Sequence, residues 1–226
     1  MKFIKLLTTA SAMACCLNAP LAAAHDTDRD DGPKIVKTYD FTGFDRIHIE
    51  GVYEVDIQVG PNFSIETSGS EKQMNRAKVI KSGTQTLILG LNETGRLKRW
   101  KGHNNGIRAV ITLPALNKIA LTGVGSVEVS GIDAQVFDAT LEGVGSIELA
   151  GKCGRLDANV EGVGSLEADD FECEDVNVSV EGMGSAEVYA SKSVDADIEG
   201  MGSIDVEGSP KSVKKSKSFM SSISIN

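Results

Sequence analysis

Between residues 122 and 206, hydrophobic and polar residues alternate in short runs that return at a near-constant spacing. The clearest are TGVGSVEV (122–129), EGVGSIEL (142–149), EGVGSLEA (161–168), EGMGSAEV (181–188) and EGMGSIDV (199–206). Their serines, Ser126, Ser146, Ser165, Ser185 and Ser203, lie 20, 19, 20 and 18 residues apart. FMSSISI is a degenerate further copy, and EGVYEVDI (50–57) an earlier relative. Second runs fall between them: FDATLEG (137–143), LDANVEG (156–162), VNVSVEG (176–182) and VDADIEG (194–200). All are too short and too strictly alternating for helices. Strand geometry puts Ile147 and Leu149 on one face and Glu148 on the other. In the same way Ala158 and Val160 oppose Asp157, Asn159 and Glu161. Each Gly-x-Gly reads as a corner, where the chain needs positive φ or close backbone approach.

A unit of 18–20 residues with two strands and two corners cannot bury its apolar face alone, but stacked copies can. The pattern therefore predicts an all-β fold, a parallel β-solenoid (β-helix) whose rungs pair at ~4.8 Å. A long antiparallel meander is the alternative. It is the weaker one, because equivalent positions keep one character from unit to unit, as in-register stacking demands. The usual chirality of crossover connections favours a right-handed coil. Residues 122–208 are the regular rungs. Residues 35–121, with looser alternation in FDRIHIEGVYEVDIQV, TLILGL and AVITLP and a turn at Lys81–Thr84, are expected as irregular β-coils preceding them. Residues 209–226, with Lys211, Lys214, Lys215 and Lys217, are expected as a degenerate rung that caps the stack against end-to-end pairing.

The register carries a further expectation. Cys153 stands three residues before Leu156 and Cys173 three before Val176, and Leu156 and Val176 are equivalent positions. The cysteines then share one column in adjacent rungs, at a spacing of ~4.8 Å that a disulfide accommodates. Two free thiols are the alternative. Ala134 and Ser191 fill that column in the neighbouring units.

The oxidising compartment such a bridge needs is indicated at the N-terminus. Lys2 and Lys5 precede an apolar stretch ending in Ala22-Ala23-Ala24, which fits a secretory signal over residues 1–24. Ala12-Met13-Ala14 before Cys15 matches a lipoprotein signal poorly, so anchoring at Cys15 is not expected. Residues 25–34 form an acidic linker. No later run is apolar enough for a transmembrane segment. Export to the periplasm or beyond is the resulting localisation.

Composition sharpens the class. Of 226 residues 41% are hydrophobic and only 5% aromatic, while 24 are glycine, which suits thin repetitive β-structure. The formal net charge of −9 argues against a nucleic-acid partner. The charge is also segregated: residues 34–121 carry net +5, residues 122–208 net −17 and residues 209–226 net +4. In stacked rungs the acids fall into columns. One holds Glu128, Glu148, Glu167, Glu187 and Asp205. A second holds Glu142, Glu161, Glu181 and Glu199. A third holds Asp138, Asp157 and Asp195. Outward carboxylates keep a narrow stack soluble; alternatively, calcium between the rungs of the second column relieves their repulsion. No other cofactor is indicated.

The segments FDRIHIEGVYEVDIQVGPNFSIETSGSE, TLILGL and ITLPALNKIALTGVGSVEVSG together resemble the bacterial family of putative autotransporter adhesin, head GIN domains. The resemblance runs from about residue 39 to the C-terminus. It implies an exported, solenoid-like protein with no established enzymatic activity. No series of ~10-residue alternating strands of the kind a translocator barrel needs follows the rungs.

Between two strand-like runs lies GRLKRWKGHNNGIR, which places Trp100 among Arg96, Lys98, Arg99, Lys101 and Arg108. It reads either as a solvated hairpin or as a contact loop for a polyanion: a glycan, lipopolysaccharide or an acidic surface protein. His25, His48 and His103 lack zinc-ligand spacing. No Ser-His-Asp or Cys-His set stands out, and serines recurring at every corner read as structural. A polysaccharide-acting enzyme would need non-repeating acids beside bases in a cleft. The expectation is a non-enzymatic binding or surface-interaction module of a bacterial envelope, with a structural envelope protein lacking a discrete ligand as the alternative.

Overall fold

The computed structural model describes residues 33–92 and 106–226. The expected signal segment with Cys15, most of the acidic linker, and Arg96, Lys98, Arg99, Trp100 and Lys101 lie outside the described residues.

Almost every described residue that has regular structure is in a strand. In chain order the elements are β1 (Lys34–Thr38), β2 (Arg46–Glu50), β3 (Val52–Val59), β4 (Ser64–Ser70), α1 (Glu71–Met74), β5 (Ala77–Ser82), β6 (Thr86–Leu91), β7 (Ile107–Leu113), β8 (Lys118–Leu121), β9 (Val124–Glu207), β10 (Ser212–Lys217) and β11 (Ser221–Ile225). They form one curled sheet in the order β1-β4-β7-β3-β9-β8-β2-β6-β5, with β10 and β11 also paired to β9.

The alternation seen in the sequence decides which side chains go inside. Along β3, Tyr53, Val55 and Ile57 are buried while Glu54 faces solvent. Along β9 the same two motif positions are buried at each return: Val127 with Val129, Ile147 with Leu149, Leu166 with Ala168, Ala186 with Val188, and Ile204 with Val206. The interior is thus narrow and aliphatic. It also holds an edge-to-face pair of Phe137 and Phe171, centroids 5.3 Å apart.

Pairing around β9 is parallel and steps by the repeat length. Lys118 of β8 pairs with Asp138, Ser212 of β10 with Ser193, and Ser221 of β11 with Gly202. The Gly-x-Gly corners lie on one another. A Cβ on Gly162 would stand 2.5 Å from the Gly143 carbonyl oxygen, and one on Gly182 2.7 Å from that of Gly162. Both glycines also adopt φ near +110°, at +117° and +108°, where a side chain is strained. Cys153 and Cys173 are bridged, with Cα atoms 4.5 Å apart.

The N-terminal half departs from pure parallel stacking. β2 and β3 continue the parallel register, pairing with β8 and β9, but β1–β4, β4–β7 and β5–β6 are antiparallel. The β5–β6 hairpin turns at Gly83, with φ +62°, where Lys81–Thr84 was read as a turn. One short element was not anticipated. Ser70 caps α1 by accepting from the Gln73 amide, and the Gln73 side chain accepts from the Ser70 amide. This Ser-x-x-Gln capping box was the signal available in the sequence.

Candidate interaction surface

The polar face is organised in columns because each repeat sets its outward residues over those of the last. The first column continues from Glu128 onto Asp56, which pairs with Glu128 across β3 and β9. Arg108 closes its N-terminal end. Its guanidinium donates to Asp56 at 2.6 Å and lies 3.7 Å from Glu54. The bond to Asp56, then the charges of Asp56 and Glu54, raise the Arg108 pKa further. The sequence reading put Arg108 in the basic loop; it stands on β7 instead, already paired with acids. An open depression of about 340 Å³ beside it is lined by Asp56, Gln58, Arg108, Thr112, Glu128 and Ser130. Further along the column, Glu148 has its pKa raised, first by desolvation and then by the charges of Glu128, Glu167, Asp169 and Asp170.

The third column is largely neutralised. Lys118 lies 3.9 Å from Asp138 at one end, Lys214 lies 2.7 Å from Asp195 at the other, and Arg155 lies 3.0 Å from Asp157 between them. Lys152 and Lys192 are spent on Asp133 and Glu174. The second column, Glu142, Glu161, Glu181 and Glu199, differs: all four are exposed, and among the described residues none is in an ion pair. Among the described residues no three acidic, His or Cys side chains converge as metal ligands.

Beside the second column runs a row that the sequence reading did not single out. The residue between the two glycines of each corner is Val124, Val144, Val163, Met183 or Met201, with relative exposures of 49, 51, 45, 51 and 45%. Met220, 63% exposed, precedes Ser221, which pairs with Gly202, and so continues the row. The glycines on either side have no side chain, so the middle residue is the only one at the corner. The signal was in the sequence as G-V-G and G-M-G, where the eye falls on the glycines.

One arrangement of chemical interest also appears. His48 Nε2 lies 3.1 Å from Thr122 Oγ1, and His48 Nδ1 lies 3.3 Å from Glu50 Oε1. The sequence reading looked for Ser-His-Asp and Cys-His sets and did not weigh this Thr122–His48–Glu50 contact. The parallel register of β2 and β8 brings together residues 74 apart in sequence. The row lacks what acyl transfer needs. The Thr122 hydroxyl donates to the Ile49 carbonyl at 3.3 Å, and the amides of Thr122 and Val124 are spent on Ile49 and Gly51.

Among the described residues no helix is long and apolar enough to cross a membrane. The family model described as "Putative auto-transporter adhesin, head GIN domain" matches residues 43–210. Of solved structures, a putative adhesin from Bacteroides fragilis is similar at 23% identity, over 86% of this chain and 97% of that one, with a TM-score of 0.69. A putative adhesin from Parabacteroides merdae is similar at 15% identity, over 86% and 97%, with a TM-score of 0.48. A putative lipid binding protein from Parabacteroides distasonis is similar at 16% identity, over 86% and 97%, with a TM-score of 0.46. Among curated proteins nothing matches. The Bacteroides likeness bears on the fold and supports the all-β architecture.

Proposed function

The chain belongs to the family described as "Putative auto-transporter adhesin, head GIN domain", and from that premise we propose an exported, non-enzymatic surface-interaction module. The observation that carries this reading is the repetition of the outer face. Each return of β9 presents the same residue types over those below it, so the surface offers long straight columns. Extended columns suit contact with an extended partner, whereas catalysis needs unlike groups converging on one reacting atom.

Several finer points belong to the same reading. The chain forms a parallel β-solenoid whose 18–20-residue rungs occupy residues 122–208. Residues 35–121 form its broader N-terminal cap and 209–226 its last rung. The parallel steps of one repeat and the Cys153–Cys173 bridge support this arrangement. Residues 1–24 direct export, and the disulfide is consistent with an oxidising compartment. The segment with Arg96, Lys98, Arg99, Trp100 and Lys101 is the contact for an anionic glycan, lipopolysaccharide or acidic surface protein, since the body of the chain, at net −17 over residues 122–208, repels polyanions.

Exported protein applied to a glycan array and to whole bacterial and host cells tests the reading. Saturable retention on a defined subset is expected. Retention on none would favour a structural envelope role without a discrete ligand. Replacing Arg96, Lys98, Arg99 and Lys101 by Ser is expected to abolish any salt-sensitive anionic binding and leave the melting temperature unchanged.

A further inference from the structure

The row of corner side chains is an unusual use of apolar residues. Val124, Val144, Val163, Met183 and Met201 are each about half exposed, although a smaller or polar residue would fit an outward position with no neighbour beside it. Single exposed apolar residues need no explanation, but a contiguous row does. The stacked glycines fix the row in place, because each corner sits on the carbonyl of the one before it. At ~4.8 Å per step the five residues span about 19 Å.

What flanks the row says what can cover it. Two residues before Val144, Val163, Met183 and Met201 stands the second acidic column, Glu142, Glu161, Glu181 and Glu199, which has no ion pair among the described residues; Thr122 takes that place before Val124. Four residues after it stands the first acidic column, whose paired cation, Arg108, is at the N-terminal end. The lysines on β9 are committed elsewhere: Lys152 to Asp133 and Lys192 to Glu174. The row is therefore an apolar strip between two rails of uncompensated negative charge. A second copy of this chain laid face to face would bring acid against acid, and an anionic membrane would be repelled.

We infer that this strip is a docking surface for a cationic amphipathic helix of a protein partner, lying along the stacking axis with its apolar face on the Val/Met row and Lys or Arg toward the glutamates. The dimensions agree. A helix turn advances ~5.4 Å against ~4.8 Å per step, so three turns stay within about 2 Å of register. Methionine at two of the five positions suits such a surface, since its flexible thioether adapts to a partner helix. The inference rests on the surface-interaction reading and gives it a second face, separate from the basic segment.

The test uses the full exported chain and a synthetic 14-residue Leu/Lys peptide with leucines at helical i, i+3, i+4, i+7 spacing, followed by fluorescence anisotropy. Two controls are a scrambled peptide of the same composition and a Leu/Glu peptide. Saturable binding of the Leu/Lys helix is expected, at least tenfold tighter than the scrambled peptide and absent for the Leu/Glu peptide. The triple variant Val144→Ser, Val163→Ser, Met183→Ser should lose tenfold or more while keeping the parent melting curve. Glu142→Gln, Glu161→Gln, Glu181→Gln should lose a similar amount and flatten the salt dependence. The inference is overturned if the scrambled peptide binds equally, if the triple Ser variant binds like the parent, or if no peptide binds. It is also overturned if phosphatidylcholine/phosphatidylglycerol vesicles bind through the row. A triple variant that fails to fold is replaced by Met183→Ser, Met201→Ser, with the same criteria. Cell retention that survives in the Ser variant would leave the surface-interaction reading standing and remove only this one.

Discussion

Replacing Gly145 by Ala tests the stacking of the corners. The new Cβ would lie 1.9 Å from the carbonyl oxygen of Gly125 and 3.0 Å from its carbonyl carbon. Real Cβ atoms do not approach an oxygen that closely, so one corner must move by about 1 Å. The obstructing atom is backbone, so no side-chain rotation relieves the contact. Overpacking costs about 1–3 kcal/mol where side chains can yield. Here the movement also disturbs the hydrogen bonds joining adjacent repeats, each worth about 1 kcal/mol. A loss of about 3–5 kcal/mol follows, and because Gly145 has repeats on both sides, fraying at an end does not absorb it. Urea unfolding followed by circular dichroism is the assay, with the midpoint read at matched slope. Gly90→Ala is the internal control. Its Cβ would meet only ordinary contacts, 3.7 Å from Glu50 Oε2 and 4.0 Å from Glu50 Cβ, and its cost should stay below about 1 kcal/mol. Equal stability of the two variants would refute the stacking argument.

Removing the bridge with Cys153→Ala, Cys173→Ala opens a loop of 20 residues and should lower stability by about 3 kcal/mol in the same titration. Thr67 is fully buried and its hydroxyl has no partner, so Thr67→Val should raise stability by about 1 kcal/mol. Glu148 holds its proton more tightly in the folded chain than in the unfolded one, from desolvation and then from its acidic neighbours. The stability this confers is full below the unfolded value of 4.5 and is lost as pH rises through the raised one. Glu148→Gln should therefore melt higher than the parent at pH 7, with the difference closing toward pH 4 in paired thermal scans.

The strongly repeated part of the fold was legible because one periodicity governs it. Period-2 alternation assigned Ile147, Leu149, Ala158 and Val160 to the interior, where all four lie. Counting back from Leu156 and Val176 brought Cys153 opposite Cys173. The antiparallel pairings of β1 with β4 and of β4 with β7 were not legible, since residues 35–121 carry no repeat and strand direction leaves no mark on alternation, whereas the turn at Lys81–Thr84 marked the β5–β6 hairpin. The approach of His48 to Thr122 was not legible because nothing local links residues 74 apart; only the pairing of β2 with β8 does. The corner row was present in plain letters, but its meaning depends on neighbouring glycines leaving Val or Met alone at the surface. The basic segment around Trp100 stays with the sequence-level proposal.

The in-register stack and the exposed row are one claim, and cysteine cross-linking tests both together. Met183→Cys, Met201→Cys is made in a background with Cys153→Ala, Cys173→Ala, exported, and oxidised under mild conditions. The stacked glycines on either side of both positions place them one step apart, since Gly200 and Gly202 lie against Gly182 and Gly184. At ~4.8 Å the pair is within disulfide range. Met183→Cys, Met220→Cys, two steps apart at about 10 Å, is beyond it. The account predicts a 183–201 linked peptide by mass spectrometry and no 183–220 link. Free thiols in the first variant, or equal linking in both, would contradict it.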